Sequence, residues 1–179
     1  SAANKALEKL QEQLTLFATE STQVRAQFNQ STGTVRRSME ERVAQLGQRK
    51  MRFLDSLKAA NPLLWRSASL QITPDYAGQG GTEAEFYGKE YFRWADLSDK
   101  AFEQIPDVYN AFDAYMATQF QLGAQHENAI KLSETQFAKI PVGSPTYRMA
   151  LGGIVASLKA SSSPQYPTIA KKYIELYSS

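Results

Sequence analysis

Residues 24–43, VRAQFNQSTGTVRRSMEERV, place a short polar turn between two long helical patterns. On both sides of the turn, apolar residues recur at steps of three and four, which is the spacing of a helix that buries one side. Gly33 suits the position just after a helix, and Thr34 suits the cap of the next one. The sequence therefore predicts an antiparallel helical hairpin over residues 1–60. The two stripes are Leu7, Leu10, Leu14, Phe17, Ser21, Val24 and Phe28, then Met39, Val43, Leu46, Lys50, Phe53 and Leu57.

A short helix and a loop follow the hairpin. Asn61-Pro62 ends the second helix, because the residue before a proline disfavours the helical conformation. Asn61 and Pro62 also suit the cap and first position of a third helix that runs to Leu70. Residues 73–83 are polar and rich in glycine, and we expect an exposed, flexible loop there. The apolar side of the third helix is assigned to Leu63, Leu64 and Trp65.

The second half of the chain carries four more apolar stripes at helical spacing. Turns that contain proline, glycine or serine separate them, and no stretch alternates at period two for long enough to predict a strand. The stripes run over residues 108–120, 126–138, 147–158 and 166–177. The sequence therefore predicts an all-α protein in which residues 1–179 form a single helical domain. In that domain the N-terminal long antiparallel hairpin packs on an irregular helical bundle over residues 61–179.

Composition excludes several classes of function. The 179 residues carry a net charge of +2 from 20 basic and 18 acidic side chains, so no strong field attracts nucleic acid. There is no cysteine, which excludes disulfides, thiolate metal sites and thiol redox chemistry within this chain. No apolar run approaches the roughly 20 residues that a membrane span needs. We therefore expect a chain that binds no nucleic acid, does not span a membrane and needs no cofactor.

Aromatic residues are densest in residues 86–94, just before an acidic turn at residues 96–99. Aromatic side chains stack on sugar rings, nucleic-acid bases or peptides, so this cluster is the candidate binding or docking surface. Dense aromatics more often form a core between helices, and we expect Trp94 to lie in that core. The candidate residues are Phe86, Tyr87, Tyr91, Phe92 and Trp94.

Few residues in the sequence suit catalysis. His126 is the only histidine, and no second metal ligand lies three or four residues beyond it, so we expect a surface histidine. Asp96 and Asp99 lie where oxygen side chains cap a helix, which we favour over a catalytic carboxylate pair. Gly152-Gly153 lies inside a helical stripe with no strand before it, which favours close helix packing over a phosphate loop. The sequence predicts no catalytic residue and no metal site.

The order of three segments gives the chain a family resemblance. The charged hairpin ends in Phe53-Leu54 and Asn61-Pro62, the aromatic segment Tyr91–Asp99 is followed by Ile105-Pro106, and the closing helix is Tyr166–Tyr177. In this order they resemble the helical domain, of unknown function, of Bacteroidetes thioredoxin-like proteins in the TlpA/ResA-like thiol–disulfide interchange group. The chain departs from the family's pattern at residue 97, where leucine replaces the usual phenylalanine. The thioredoxin domain itself, with its Cys-x-x-Cys, is not among these residues.

The resemblance implies a non-catalytic helical accessory domain of an exported thioredoxin-like protein, which positions the redox domain or docks its partner. It also implies a thioredoxin-like domain in the same parent chain and a periplasmic or otherwise extracytoplasmic location. The alternative is a stand-alone peptide- or glycan-binding helical module that uses the aromatic cluster. A third hypothesis, a carboxylate-dependent hydrolase, needs a carboxylate pair that no spacing in the sequence shows.

Overall fold

The computed structural model describes residues 1–178, which form α-helices and one 3-10 helix and contain no strand. The all-α prediction is confirmed. No helix within this range combines the length and apolar character that a membrane span requires. The α-helices are α1 (Ala2–Gln30), α2 (Gly33–Ala60), α3 (Pro62–Gln71), α4 (Glu83–Glu90), α5 (Asp107–Gln121), α6 (His126–Phe137), α7 (Pro145–Ala160) and α8 (Tyr166–Tyr177), and the 3-10 helix covers Lys100–Gln104.

The chain divides into two compact units. The first, Ser1–Gln79, holds α1, α2 and α3, and the second starts at Gly80 and holds the remaining helices. The predicted hairpin boundary at residue 60 therefore falls inside the first unit, which continues through α3 and the segment after it.

The first unit is built on the predicted antiparallel hairpin. Phe17 of α1 meets Phe53 of α2 with ring centroids 5.7 Å apart, and Arg49 pairs with Glu20 further along the same two helices. As the residue number rises along α1 it falls along α2, which is the antiparallel order. The turn differs from the prediction by two residues, because α2 begins at Gly33 with a φ of +59° and Thr32, not Thr34, occupies the cap position.

Lys50 lies in the hairpin seam and is buried with all three of its ammonium hydrogens donated. Its Nζ donates to Ser21 Oγ at 2.8 Å, to Thr73 O at 2.8 Å and to Asp75 Oδ2 at 2.7 Å. Burial lowers the pKa of Lys50, and the nearby Asp75 carboxylate opposes that shift. The seam therefore binds the segment after α3 through one buried ion pair.

The structure corrects two sequence expectations, one about the loop after α3 and one about α3 itself. Residues 73–77 are not an exposed loop, because Pro74 is buried and the Tyr76 ring lies 6.5 Å from that of Phe28 at the end of α1. Exposure is found only from residue 78 to residue 82. On α3, Leu63 is exposed, and the buried side is formed by Ala68, Ser69 and Leu70 instead. Asn61 does cap α3 as predicted, accepting from Leu64 N at 3.2 Å.

The second unit is centred on the contact between α5 and α7. Gly153 of α7 lies directly against the α5 backbone: a methyl group at this position would collide with Tyr109 O and lie 2.9 Å from Asp113 N. Backbones approach this closely only where a residue without a side chain lies between them. Helices α4 and α6 pack against α5, and α8 packs against α7. The expected use of Gly152-Gly153 in helix packing is therefore confirmed.

The helix expected after the acidic turn is a single 3-10 segment. Asp99 caps it by accepting from Ala101 N at 2.9 Å, and Asp96 accepts from Ser98. The capping role is confirmed for Asp99. Ile105 is extended, with a φ of −111° and a ψ of 96°, because the residue before a proline disfavours the helical conformation, and the segment therefore ends before α5 begins at Asp107.

The buried ion pair gives a stability prediction for the first unit. Asp75→Asn keeps the shape of the side chain but leaves the Lys50 ammonium without its counter-charge, and should destabilise the protein by about 3–5 kcal/mol. The measurement is the urea midpoint followed by circular dichroism. Glu20→Gln is the matched control, because its pair with Arg49 is solvent-accessible and should contribute less than about 1 kcal/mol. Equal midpoints for the two variants would contradict the role assigned to Asp75.

The close approach at Gly153 gives a second prediction. Gly153→Ala should destabilise the protein by about 1–3 kcal/mol, because the new methyl group meets backbone atoms that cannot move aside singly. Gly47→Ala, in the middle of α2, is the control: no atom lies within 4 Å of its new methyl group. That change should stabilise the protein by roughly 0.5–1 kcal/mol. A Gly153→Ala melt that coincides with wild type would show that α5 and α7 are loosely packed.

Candidate functional site

The structure splits the predicted aromatic surface into a buried part and a partly accessible part. Phe86 and Phe92 are each only 2% exposed, whereas Tyr87, Tyr91 and Trp94 are half-buried. The two phenylalanines therefore lie in the core with almost no exposed ring surface, and the assignment of the five residues as a docking surface stays a prediction. Trp94 was expected in the core, but it is only half-buried and lies at the edge of the core.

Phe92 is the centre of a stacked aromatic core. Its ring stacks on Phe112 at 4.7 Å and on Tyr115 at 5.5 Å between centroids. Tyr91 adds an edge-to-face contact with Tyr115 at 5.4 Å. Offset stacks and edge contacts are the favourable geometries for such rings. The cluster therefore anchors the chain after α4 onto α5.

Buried polar side chains hold the end of α4 in the same core. Tyr115 Oη donates to Gly88 O at 2.6 Å, and Gln136 Nε2 donates to Gly88 O at 3.1 Å and Lys89 O at 3.0 Å. The last carbonyls of a helix lack partners within it, so these bonds satisfy them. Burial raises the pKa of the Tyr115 hydroxyl, which keeps it protonated as a donor.

The histidine and a carboxylate near the cluster each contact a neighbouring side chain. His126 is half-buried, not at the surface as expected, and its ring stacks on Phe120 at 4.0 Å between centroids. Glu90 pairs with Arg93 at 2.9 Å. No group of three histidine or acidic side chains suited to a metal ion occurs in residues 1–178.

A groove of about 680 Å³ lies elsewhere on the second unit, between α5, α7 and α8. We call it the tyrosine groove. Its volume is in the range of protein sites that bind small molecules or peptide side chains. Its lining residues are Tyr109, Gly152, Val155, Ala156, Lys159, Ala160, Tyr166 and Tyr173.

Small residues of α7 form the floor of the tyrosine groove. Gly152, Ala156 and Ala160 are spaced by four residues, so they lie on one face of the helix. A methyl group added at Gly152 would lie 3.1 Å from Tyr109 Cε2 and 3.8 Å from Tyr173 Cε2. One ring from α5 and one from α8 therefore both lie beside this glycine.

The walls of the groove are tyrosine rings, one of which is held by an arginine. Arg148 Nε donates to Tyr173 Oη at 3.4 Å, and its guanidinium lies 5.3 Å from the centre of the Tyr177 ring. Tyr109 is 41% exposed on the opposite wall. The lining thus presents phenol rings and one ammonium group, that of Lys159, and no carboxylate or carboxamide.

Helix α8 lies between the tyrosine groove and a second depression of about 310 Å³ against α6 and α7. This depression is mainly apolar, with Ile130, Phe137 and Leu151 among its lining residues. None of the described side chains of α8 is buried, and Ile174 and Leu176 are exposed. α8 therefore covers α7 incompletely.

The sequence held part of the signal for the tyrosine groove. Gly152, Ala156 and Ala160 share one face of α7, and Tyr166 and Tyr173, seven residues apart, share one face of α8. The other wall, Tyr109, comes from α5, and no local spacing connects it with either helix. Comparison of the chain with protein-family models, with curated proteins and with solved structures found no match.

The two kinds of aromatic position give a prediction about the cluster. Phe92→Ala empties a fully packed site and should destabilise the protein by about 3–5 kcal/mol. Trp94→Ala should cost clearly less, because its ring is only half-buried and loses less area from contact. Both are read from urea melts by circular dichroism, since the second variant removes a tryptophan fluorophore. A larger loss of stability for Trp94→Ala than for Phe92→Ala would show that Trp94 belongs to the centre of the core.

Proposed function

We propose that this chain is a helical docking domain, with no catalytic role of its own, that holds a protein partner in the tyrosine groove. The observation that carries the proposal is the groove itself: an open concavity walled by tyrosine rings from two helices over a floor of small residues. Tyrosine is enriched in protein interfaces, where its ring gives contact area and its hydroxyl a hydrogen bond.

The family resemblance supplies the setting of the proposal. In it, the chain is an accessory domain beside a thioredoxin-like domain of the same parent chain, in a protein exported from the cytoplasm. The exposed Ile174 of α8 supports this role, because burying an apolar side chain against a neighbouring domain is favourable. The redox chemistry belongs to that second domain, since this chain has no thiol.

The second candidate, a stand-alone peptide- or glycan-binding module that uses residues 86–94, has weaker support. Its accessible rings are reduced to Tyr87, Tyr91 and Trp94, and none of these is fully exposed. Tyr91 is held further by its contact with the Tyr115 ring. The hydrolase hypothesis has less support still, because Asp99 is used as a helix cap.

The proposal is tested in two steps. The coding sequence after the codon for Ser179 should contain a thioredoxin-like domain with a Cys-x-x-Cys motif. That domain, produced separately, should bind this chain in a calorimetric titration, and Tyr109→Ala should weaken binding by about tenfold or more.

Tyr87→Ala is the matched control, because it removes a tyrosine from the aromatic cluster and leaves the groove intact. If Tyr87→Ala loses binding and Tyr109→Ala does not, the docking site is the aromatic cluster and not the groove. If no thioredoxin-like domain is encoded, the accessory role is wrong. If Tyr109→Ala binds as wild type does, the groove is not the docking site.

A further inference from the structure

We propose that the tyrosine groove takes an extended, proline-containing peptide segment that carries acidic residues. This inference rests on the proposed docking function and names the chemistry of the docked segment. It follows from the shape of the groove, from its polar groups and from its charge.

The shape of the groove fits an extended chain with bulky, rigid side groups. From Gly152 to Ala160 the floor runs about 12 Å along α7. A polyproline II segment rises about 3.1 Å per residue, so about four residues span that length. Grooves lined by aromatic rings are the usual receptors for such segments, because proline rings pack flat between them and the segment loses little entropy on binding.

The polar groups of the groove favour a peptide over a sugar. A polyproline II backbone has no internal hydrogen bonds, so its carbonyl oxygens are free to accept from tyrosine hydroxyls. Tyr109, Tyr166 and Tyr173 line the groove, and the Tyr173 hydroxyl, which accepts from Arg148, keeps its own hydrogen to donate. Sugar hydroxyls also need strong acceptors, and the lining contains no carboxylate or carboxamide to provide them.

The charge of the groove favours acidic residues in the segment. Lys159 lines the groove, is exposed and forms no ion pair within residues 1–178. Arg148 lies one turn before Gly152 on α7, and its guanidinium is engaged with Tyr173 and Tyr177. Lys159 is therefore the cation available to a carboxylate of the bound segment, and it lies about two turns of α7 beyond Gly152.

The test uses three fluorescein-labelled peptides and fluorescence anisotropy with the whole chain. Their sequences are Glu-Glu-Pro-Pro-Pro-Pro-Glu-Glu, Lys-Lys-Pro-Pro-Pro-Pro-Lys-Lys and Glu-Glu-Gly-Ser-Gly-Ser-Glu-Glu. The first should bind about tenfold tighter than either of the others, because only it supplies both the rigid core and the negative charge. Lys159→Glu should reverse the preference between the two proline peptides. Lys131→Glu, an exposed α6 position outside the groove lining, should leave it unchanged.

Several outcomes would overturn the inference. Equal binding of the proline and glycine–serine peptides would mean that only charge is recognised, and an unaltered preference in Lys159→Glu would remove that lysine from the site. Binding of a labelled maltoheptaose, without peptide binding, would make the groove a glycan site. If the thioredoxin-like domain binds through Tyr109 and no peptide does, the docking function holds and only the peptide chemistry is wrong. Peptide binding without domain binding would reject the proposed partner instead.

Discussion

The close approach of α5 and α7 at Gly153 is the constraint on which the second unit depends. With no side chain at this position, the two backbones come into contact, and the Phe112 Cβ lies 3.0 Å from where a methyl group would be. Phe112 in turn stacks on Phe92, which carries the chain after α4 into the core. Phe112 therefore connects the α5–α7 contact with the aromatic core, because its Cβ packs against Gly153 and its ring stacks on Phe92.

The same constraint produces the tyrosine groove. Because α5 lies so near α7, the Tyr109 ring lies beside Gly152, where the Tyr173 ring of α8 also lies. Further along α7 only alanines form the floor, so the space between the walls stays open. Tight packing on one face of α7 and an open groove on its adjacent face thus arise from neighbouring glycines. The first unit uses a different device: a buried lysine, satisfied by three acceptors, fixes the segment after α3 to the hairpin.

The sequence predicts the helices well and the site poorly, for a physical reason. Helical stripes, Asn61-Pro62 and Asp99 act locally, so their roles are visible from spacing alone. The burial of Lys50 is not, because its partners Thr73 and Asp75 lie more than twenty residues further along the chain. The aromatic residues of the cluster are close together in the sequence, but two of them, Phe86 and Phe92, are buried in the core. The groove combines residues from three helices, and only the tertiary contact at Gly153 brings Tyr109 to it.

The most direct measurement for the tyrosine groove as docking site is paramagnetic broadening in an amide spectrum. A nitroxide label is attached to one end of the peptide Glu-Glu-Pro-Pro-Pro-Pro-Glu-Glu. The label cannot transfer to the protein, because the protein has no cysteine. If the groove is the site, the amides of Gly152, Ala156 and Ala160 lose intensity first. Broadening centred on Tyr87 and Trp94 with α7 unaffected, or no localised broadening at saturating peptide, would contradict the assignment.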